Sequence, residues 1–104
     1  MIALIDKIAE GVLNELEEDY VGIWSIVKEI RCHIKEDSLV LDTTLGVVKK
    51  ILESGNVFAG KFYDETFRGI DAPIDVVLSK IVRDWKELGR DPDIGEIIWF
   101  ADKN

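Results

Sequence analysis

The segment that most constrains this chain is its middle, residues 41–62, where helical periodicity gives way to extended periodicity across one glycine. Leu41, Leu45, Val48 and Leu52 recur at three- and four-residue steps, the spacing that lines up side chains on one helix face. Asp42 suits the N-cap, because its carboxylate can accept the free N–H groups of the first turn. Gly55 supplies the left-handed residue on which helices end, and residues 57–62 then turn apolar and aromatic, as strands do. The expectation is a helix over 42–54, a glycine stop and a strand.

The preceding residues read as two amphipathic helices. Ile5, Ile8, Ala9, Val12, Leu13 and Leu16 form one broad apolar stripe over residues 2–18. Gly11 lowers helix propensity by about 1 kcal/mol relative to Ala, so that stripe must dock on something to persist. Because the remaining chain holds enough apolar residues for its own core, the stripe is expected to help form a homodimer, with packing on its own domain as the plainer use. Glu15, Glu18 and Asp19 share a face near the helix end; a solvated acidic face is the expectation, since hard cations need several converging oxygens. Asp19 is placed to cap a second helix over 20–34, with Ile23, Trp24, Val27, Ile30 and Ile34 inward. Cys32 and His33 are adjacent, so on a helix they point apart and cannot pair as nucleophile and base; a buried thiol beside an exposed imidazole is expected.

Beyond the central strand, residues 63–70 read as a loop or short second strand with outward aromatics. Pro73 suits a first helical turn, where its missing N–H costs nothing. Ile74, Val77, Leu78, Ile81, Trp85 and Leu88 then form an unbroken helical stripe ended by Gly89. Residues 90–95 are a turn without the glycine and trailing glutamate positions of a calcium loop. Residues 96–101 are a near-continuous apolar strand suited to pair with 57–62, and 102–104 a free tail. Trp24, Trp85, Trp99, Phe58 and Phe62 are expected to share one core.

At 104 residues the chain is expected to be a single domain, 1–104, with 1–18 as an N-terminal helix and 20–101 as the core. No apolar run reaches the ~20 residues of a membrane span, and no basic region precedes the apolar N-terminal residues as in a signal peptide. One cysteine excludes an internal disulfide and fits a reducing cytoplasm. The net charge of −8 is concentrated in residues 1–19, which carry six acids against one base. Nucleic-acid binders instead present a basic face that neutralises phosphates. One histidine, one cysteine and no glycine-rich phosphate loop leave little for catalysis, so neither an enzyme nor a cofactor is expected.

The run Ile81-Val82-x-Asp84-Trp85-x-x-Leu88-Gly89-Arg90-x-Pro92-x-Ile94-Gly95-x-Ile97-x-Trp99-Phe100, preceded by Leu52-x-x-Gly55-x-Val57-x-x-Gly60, resembles small uncharacterised bacterial proteins with a winged-helix-like fold. The resemblance spans residues 20–101 and leaves out the acidic first helix. It implies an α+β, winged-helix-like domain, with a helical layer on a small antiparallel sheet and a helix inserted between sheet strands. It brings no catalytic motif and no ligand.

Two functions follow as expectations. The first is a non-enzymatic protein-interaction module, anchored by Tyr63, Phe67 and Arg68, since aromatics and arginine are the usual interface anchors. The second is a winged helix-turn-helix DNA-binding regulator using the 42–54 helix, with Thr43, Thr44, Lys49, Lys50 and Lys61 as contacts. Against it, 42–54 holds no Arg, Asn or Gln for bidentate base readout, and the tip before Phe67 is Asp64-Glu65.

Overall fold

The structure is a computed structural model that describes residues 2–103. Its elements run α1 (Ile2–Leu16), β1 (Val21–Gly22), α2 (Ile23–Arg31), α3 (Asp37–Glu53), β2 (Val57–Tyr63), β3 (Thr66–Gly69), α4 (Ile74–Leu88) and β4 (Trp99–Asp102). The strands form one antiparallel sheet in the order β1–β4–β2–β3, and the expected α+β class holds. As expected, the last strand pairs with β2, Ala59 facing Phe100 and Gly60 facing Trp99. None of the helices is long and apolar enough to cross a membrane among the described residues.

The helical stripe of α1 is spent inside the molecule. Ile8, Ala9, Val12 and Leu16 are buried in the same core as α3 and Phe100, and Ile5 and Leu13 pack against it. Gly46 of α3 makes the close crossing feasible, since a Cβ there would stand 2.7 Å from Ile5 Cδ1. Packing on its own domain, the plainer of the two uses expected for this stripe, is thus its use within the chain, and it gains about 1.5–3 kcal/mol for each large aliphatic side chain buried.

The second helix starts later than the apolar spacing implies. Val21 and Gly22 are extended and pair with Phe100 and Trp99 before the chain turns into α2. Gly22 allows this, because the indole of Trp24 folds back over it and leaves no room for a side chain. Asp19 caps no helix; its Oδ1 accepts the N–H of Tyr20. At the far end of α2, Arg31 donates two hydrogen bonds of 2.9 Å to Asp91 and one of 2.8 Å to Asp37, tying α2 to α3 and to the loop after α4. Those bonds, to Asp91 first and then Asp37, hold the guanidinium protonated beyond its ordinary range. Cys32 is exposed rather than buried, because α2 ends before it and the stripe stops at Ile30.

α3 begins at Asp37 after Glu36, so Asp42 lies exposed on the helix instead of capping it. Its buried residues are Val40, Thr43, Thr44, Val47, Val48 and Ile51, while Leu41, Leu45 and Leu52 are only half-buried. Its apolar residues span a broad arc opposite a charged face of Asp42, Lys49, Lys50 and Glu53, so spacing alone leaves the centre of that arc open. Packing against α1, α2, α4 and β2 at once selects the phase that buries its centre line.

α4 begins after Pro73 and ends on Gly89, whose φ of 69° is the left-handed value expected of a helix stop. The final strand is shorter than expected. Ile98 N–H donates to Glu96 O across Ile97, whose φ is 67°, and this γ-turn keeps residues 96–98 out of the ladder. Lys103 N–H donates to Asn56 O, so the expected free tail is tied down at that point; Asn104 lies outside the described residues.

Candidate functional site

Strand alternation divides the aromatics from the core. Val57, Ala59, Val21 and Phe100 point toward the helices and are buried among them. The opposite face carries a row across all four strands, Gly22, Trp99, Gly60 and Gly69. Side chains from neighbouring rows fill the space the glycines leave: a Cβ on Gly60 would stand 2.6 Å from the Phe67 ring, and one on Gly69 would stand 3.6 Å from the Phe58 ring. The expected single aromatic core is therefore corrected. The core is aliphatic around Phe100, Trp85 packs half-buried at its margin, and Trp24, Trp99 and Phe62 lie on the other side of the sheet.

That outer face is a connected layer of rings. Trp24 meets Trp99 edge-on with centroids 4.5 Å apart, and Trp99 meets Phe62 at 5.0 Å. Phe62 meets Tyr20 at 4.8 Å and Phe67 at 5.6 Å, and Tyr20 stacks on Phe67 at 5.5 Å. Edge-to-face pairs of this kind contribute about 0.5–1.5 kcal/mol each beyond the area they bury. The helix stripes face the other side of the sheet, so the layer stays partly open: Tyr20 is 45% exposed, Trp24, Trp99, Phe62 and Phe67 are half-buried, and Phe58 beside them is 45% exposed.

Beside the layer runs a groove of about 610 Å³, between the end of α1 and the β2–β3 hairpin. Phe58, Ala101, Tyr20 and Phe67 supply its apolar lining. Glu17, Glu18 and Asp19 line it on the α1 side and Glu65 on the hairpin side, all exposed. On its far side the Phe58 ring carries the ammonium of Lys103, 4.8 Å from the ring centroid.

The residues singled out from sequence do not gather at one place. Phe67 belongs to the aromatic layer, but Tyr63 and Arg68 project from the other face of the hairpin, the guanidinium 5.9 Å from the tyrosine centroid. Thr43 and Thr44 are buried, so neither can reach a groove of DNA. Thr44 Oγ1 donates to Val40 O at 2.8 Å, while Thr43 Oγ1 has no hydrogen-bond partner. Lys49 and Lys50 are exposed on α3, and Lys50 pairs with Asp6 of α1. Lys61 stands apart beside Lys80 and Asp84 of α4; burial, then the Lys80 charge, lowers its pKa below the ordinary lysine range. No group of three or more His, Cys, Asp or Glu that could hold a metal ion occurs among the described residues.

Sequence reasoning misses Tyr20, Phe58, Phe62, Trp24 and Trp99 on this face, because large apolar side chains read as core. The available signal is the pairing of aromatics with glycine on the same parity in β2 and β3, Phe58-x-Gly60-x-Phe62 and Phe67-x-Gly69. Comparison with known protein families, curated proteins and solved structures gives no match for this chain.

Proposed function

We propose that the chain is a non-enzymatic protein-interaction module on a winged-helix-like scaffold, and that it binds through the aromatic face of its sheet. The scaffold reading is supported by element order. A short turn joins α2 to α3, and α3 leads directly into the β2–β3 hairpin, as a helix-turn-helix leads into a wing. The expected inserted helix is α4, which returns the chain to place β4 between β1 and β2.

The observation that carries the functional reading is the partly exposed layer Trp24–Trp99–Phe62–Tyr20–Phe67, with the exposed Phe58 ring beside it. Contiguous apolar patches left on a surface mark interaction sites, and aromatic rings are the usual anchors of protein interfaces. The DNA-regulator reading has less support, since two of its five contacts are buried and Lys61 belongs to the surroundings of α4.

Selection of displayed random peptides against the whole chain is the test. Enriched peptides should lose binding to the Tyr20→Ala and Phe58→Ala variants and keep it to Lys49→Ala. Enrichment that depends on Lys49 and Lys50, or on neither face, would contradict the reading.

A further inference from the structure

We infer that the groove beside the aromatic layer receives an extended segment of a partner protein carrying lysine or arginine, its cation held against Tyr20, Phe58 and Phe67. This rests on the protein-interaction reading and adds the chemistry of the partner. The groove's charge favours a cation: Glu17, Glu18, Asp19, Glu65 and Asp102 line it, against the single ammonium of Lys103, which reaches the Phe58 ring from outside the lining. The chain as a whole carries −8, so its field draws cations from beyond the groove as well.

The ring geometry selects the same ligand. Aromatic faces attract ammonium and guanidinium groups within about 6 Å of the centroid, and the attraction grows when the cation is desolvated. The groove supplies both parts, with ring surface on Phe58, Tyr20 and Phe67 and carboxylates at the rim. Phe58 already holds one cation from within the chain, the Lys103 ammonium at 4.8 Å. That contact is an internal copy of the one assigned to the partner, made from the neighbouring side of the same exposed ring.

Nucleic acid is the macromolecule that would otherwise use a sheet face of rings, because bases stack on aromatics. Such faces pair their rings with a basic path for the phosphates, whereas this one is edged by carboxylates.

The experiment uses the full chain and a short synthetic peptide in which lysine alternates with glycine, followed by tryptophan fluorescence or calorimetry. The expected result is binding that weakens as salt rises and is absent for the glutamate–glycine counterpart. Phe58→Ala, at a half-exposed position that leaves the core intact, should weaken binding about tenfold, and Glu17→Lys with Glu18→Lys by a similar factor. Lys103→Gln should tighten it about twofold by removing a like charge from the same ring, and unchanged or weaker binding would place the peptide elsewhere. Equal binding of both peptides, or binding of a single-stranded oligonucleotide through the same rings, would overturn the inference. The two readings fail separately. Displayed peptides that need Tyr20 and Phe58 but carry no basic residue would end the cationic partner and leave the interaction module standing. Peptides that need neither ring would end both.

Discussion

Trp24 at the start of α2 and Trp99 at the start of β4 meet edge to face, centroids 4.5 Å apart, beside Gly22, which the Trp24 indole could not cover if it had a side chain. A Cβ built on Gly22 would lie 1.5 Å from Trp24 Cζ3, so Gly22→Ala must drive the indole off Trp99. The expected cost is about 1–3 kcal/mol, as for other overpacked sites. Urea denaturation measures it, and near-ultraviolet circular dichroism should lose the signature of the coupled indoles.

The hairpin tip offers the opposite change. Asp64 and Glu65 form the two-residue loop between Tyr63 and Thr66, with φ of 49° and 68°, as a type I′ turn requires. The left-handed conformation costs a non-glycine residue about 1–2 kcal/mol, so Glu65→Gly should stabilise the fold by about 1 kcal/mol. The same variant removes an acid from the groove, so it should gain stability while losing affinity for the basic peptide. Thermal unfolding and titration of one sample would show both.

Thr43 separates the two functional readings through stability alone. Its hydroxyl is buried without a hydrogen-bond partner, while its neighbour Thr44 bonds to Val40 O. Leaving such a group unsatisfied costs about 1–3 kcal/mol, and Thr43→Val removes it at nearly constant shape. The variant should be more stable by about 1 kcal/mol in chemical denaturation. A side chain that faced DNA from the surface would give no such gain.

Glu96 carries the clearest pH signature. Two hydrogen bonds from Arg90, at 2.6 and 2.8 Å, and one from Asp93 N–H lower its pKa from 4.5 to about 2. A carboxylate held below its unfolded value stabilises the fold fully above that value, and the gain is lost as pH falls through the folded one. The contribution should therefore disappear between the ordinary value of 4.5 and about 2. Carbon-detected NMR of the Glu96 carboxyl should find the low midpoint, and Arg90→Gln should return it toward the ordinary value.

Much of this architecture is legible before any coordinates. The stripe of α1, the Pro73–Gly89 punctuation of α4 and the pairing of β2 with the last strand all follow from spacing and end signals. Facing is harder to read. Residues 57–62 place apolar residues on both parities, and the small ones, Val57 and Ala59, go inward while Phe58 and Phe62 go outward. Only the glycines opposite mark where rings lie flat on the sheet. On α3 the difficulty is rotation, because a broad apolar arc does not mark its own centre, and Thr43 and Thr44 at its edge then resemble surface residues. Ile97 could not be foreseen at all: a β-branched residue at φ 67° is held by its surroundings, against its own preference.

The binding face itself is tested most directly by amide chemical shifts of the full chain, followed while the lysine–glycine peptide is added at physiological salt. The account predicts that Tyr20, Phe58, Glu65 and Phe67 move together and saturate at one peptide concentration, while Asp42, Lys49 and Lys50 on α3 stay in place. Shifts centred on Lys49 and Lys50 with the sheet face unmoved would contradict it.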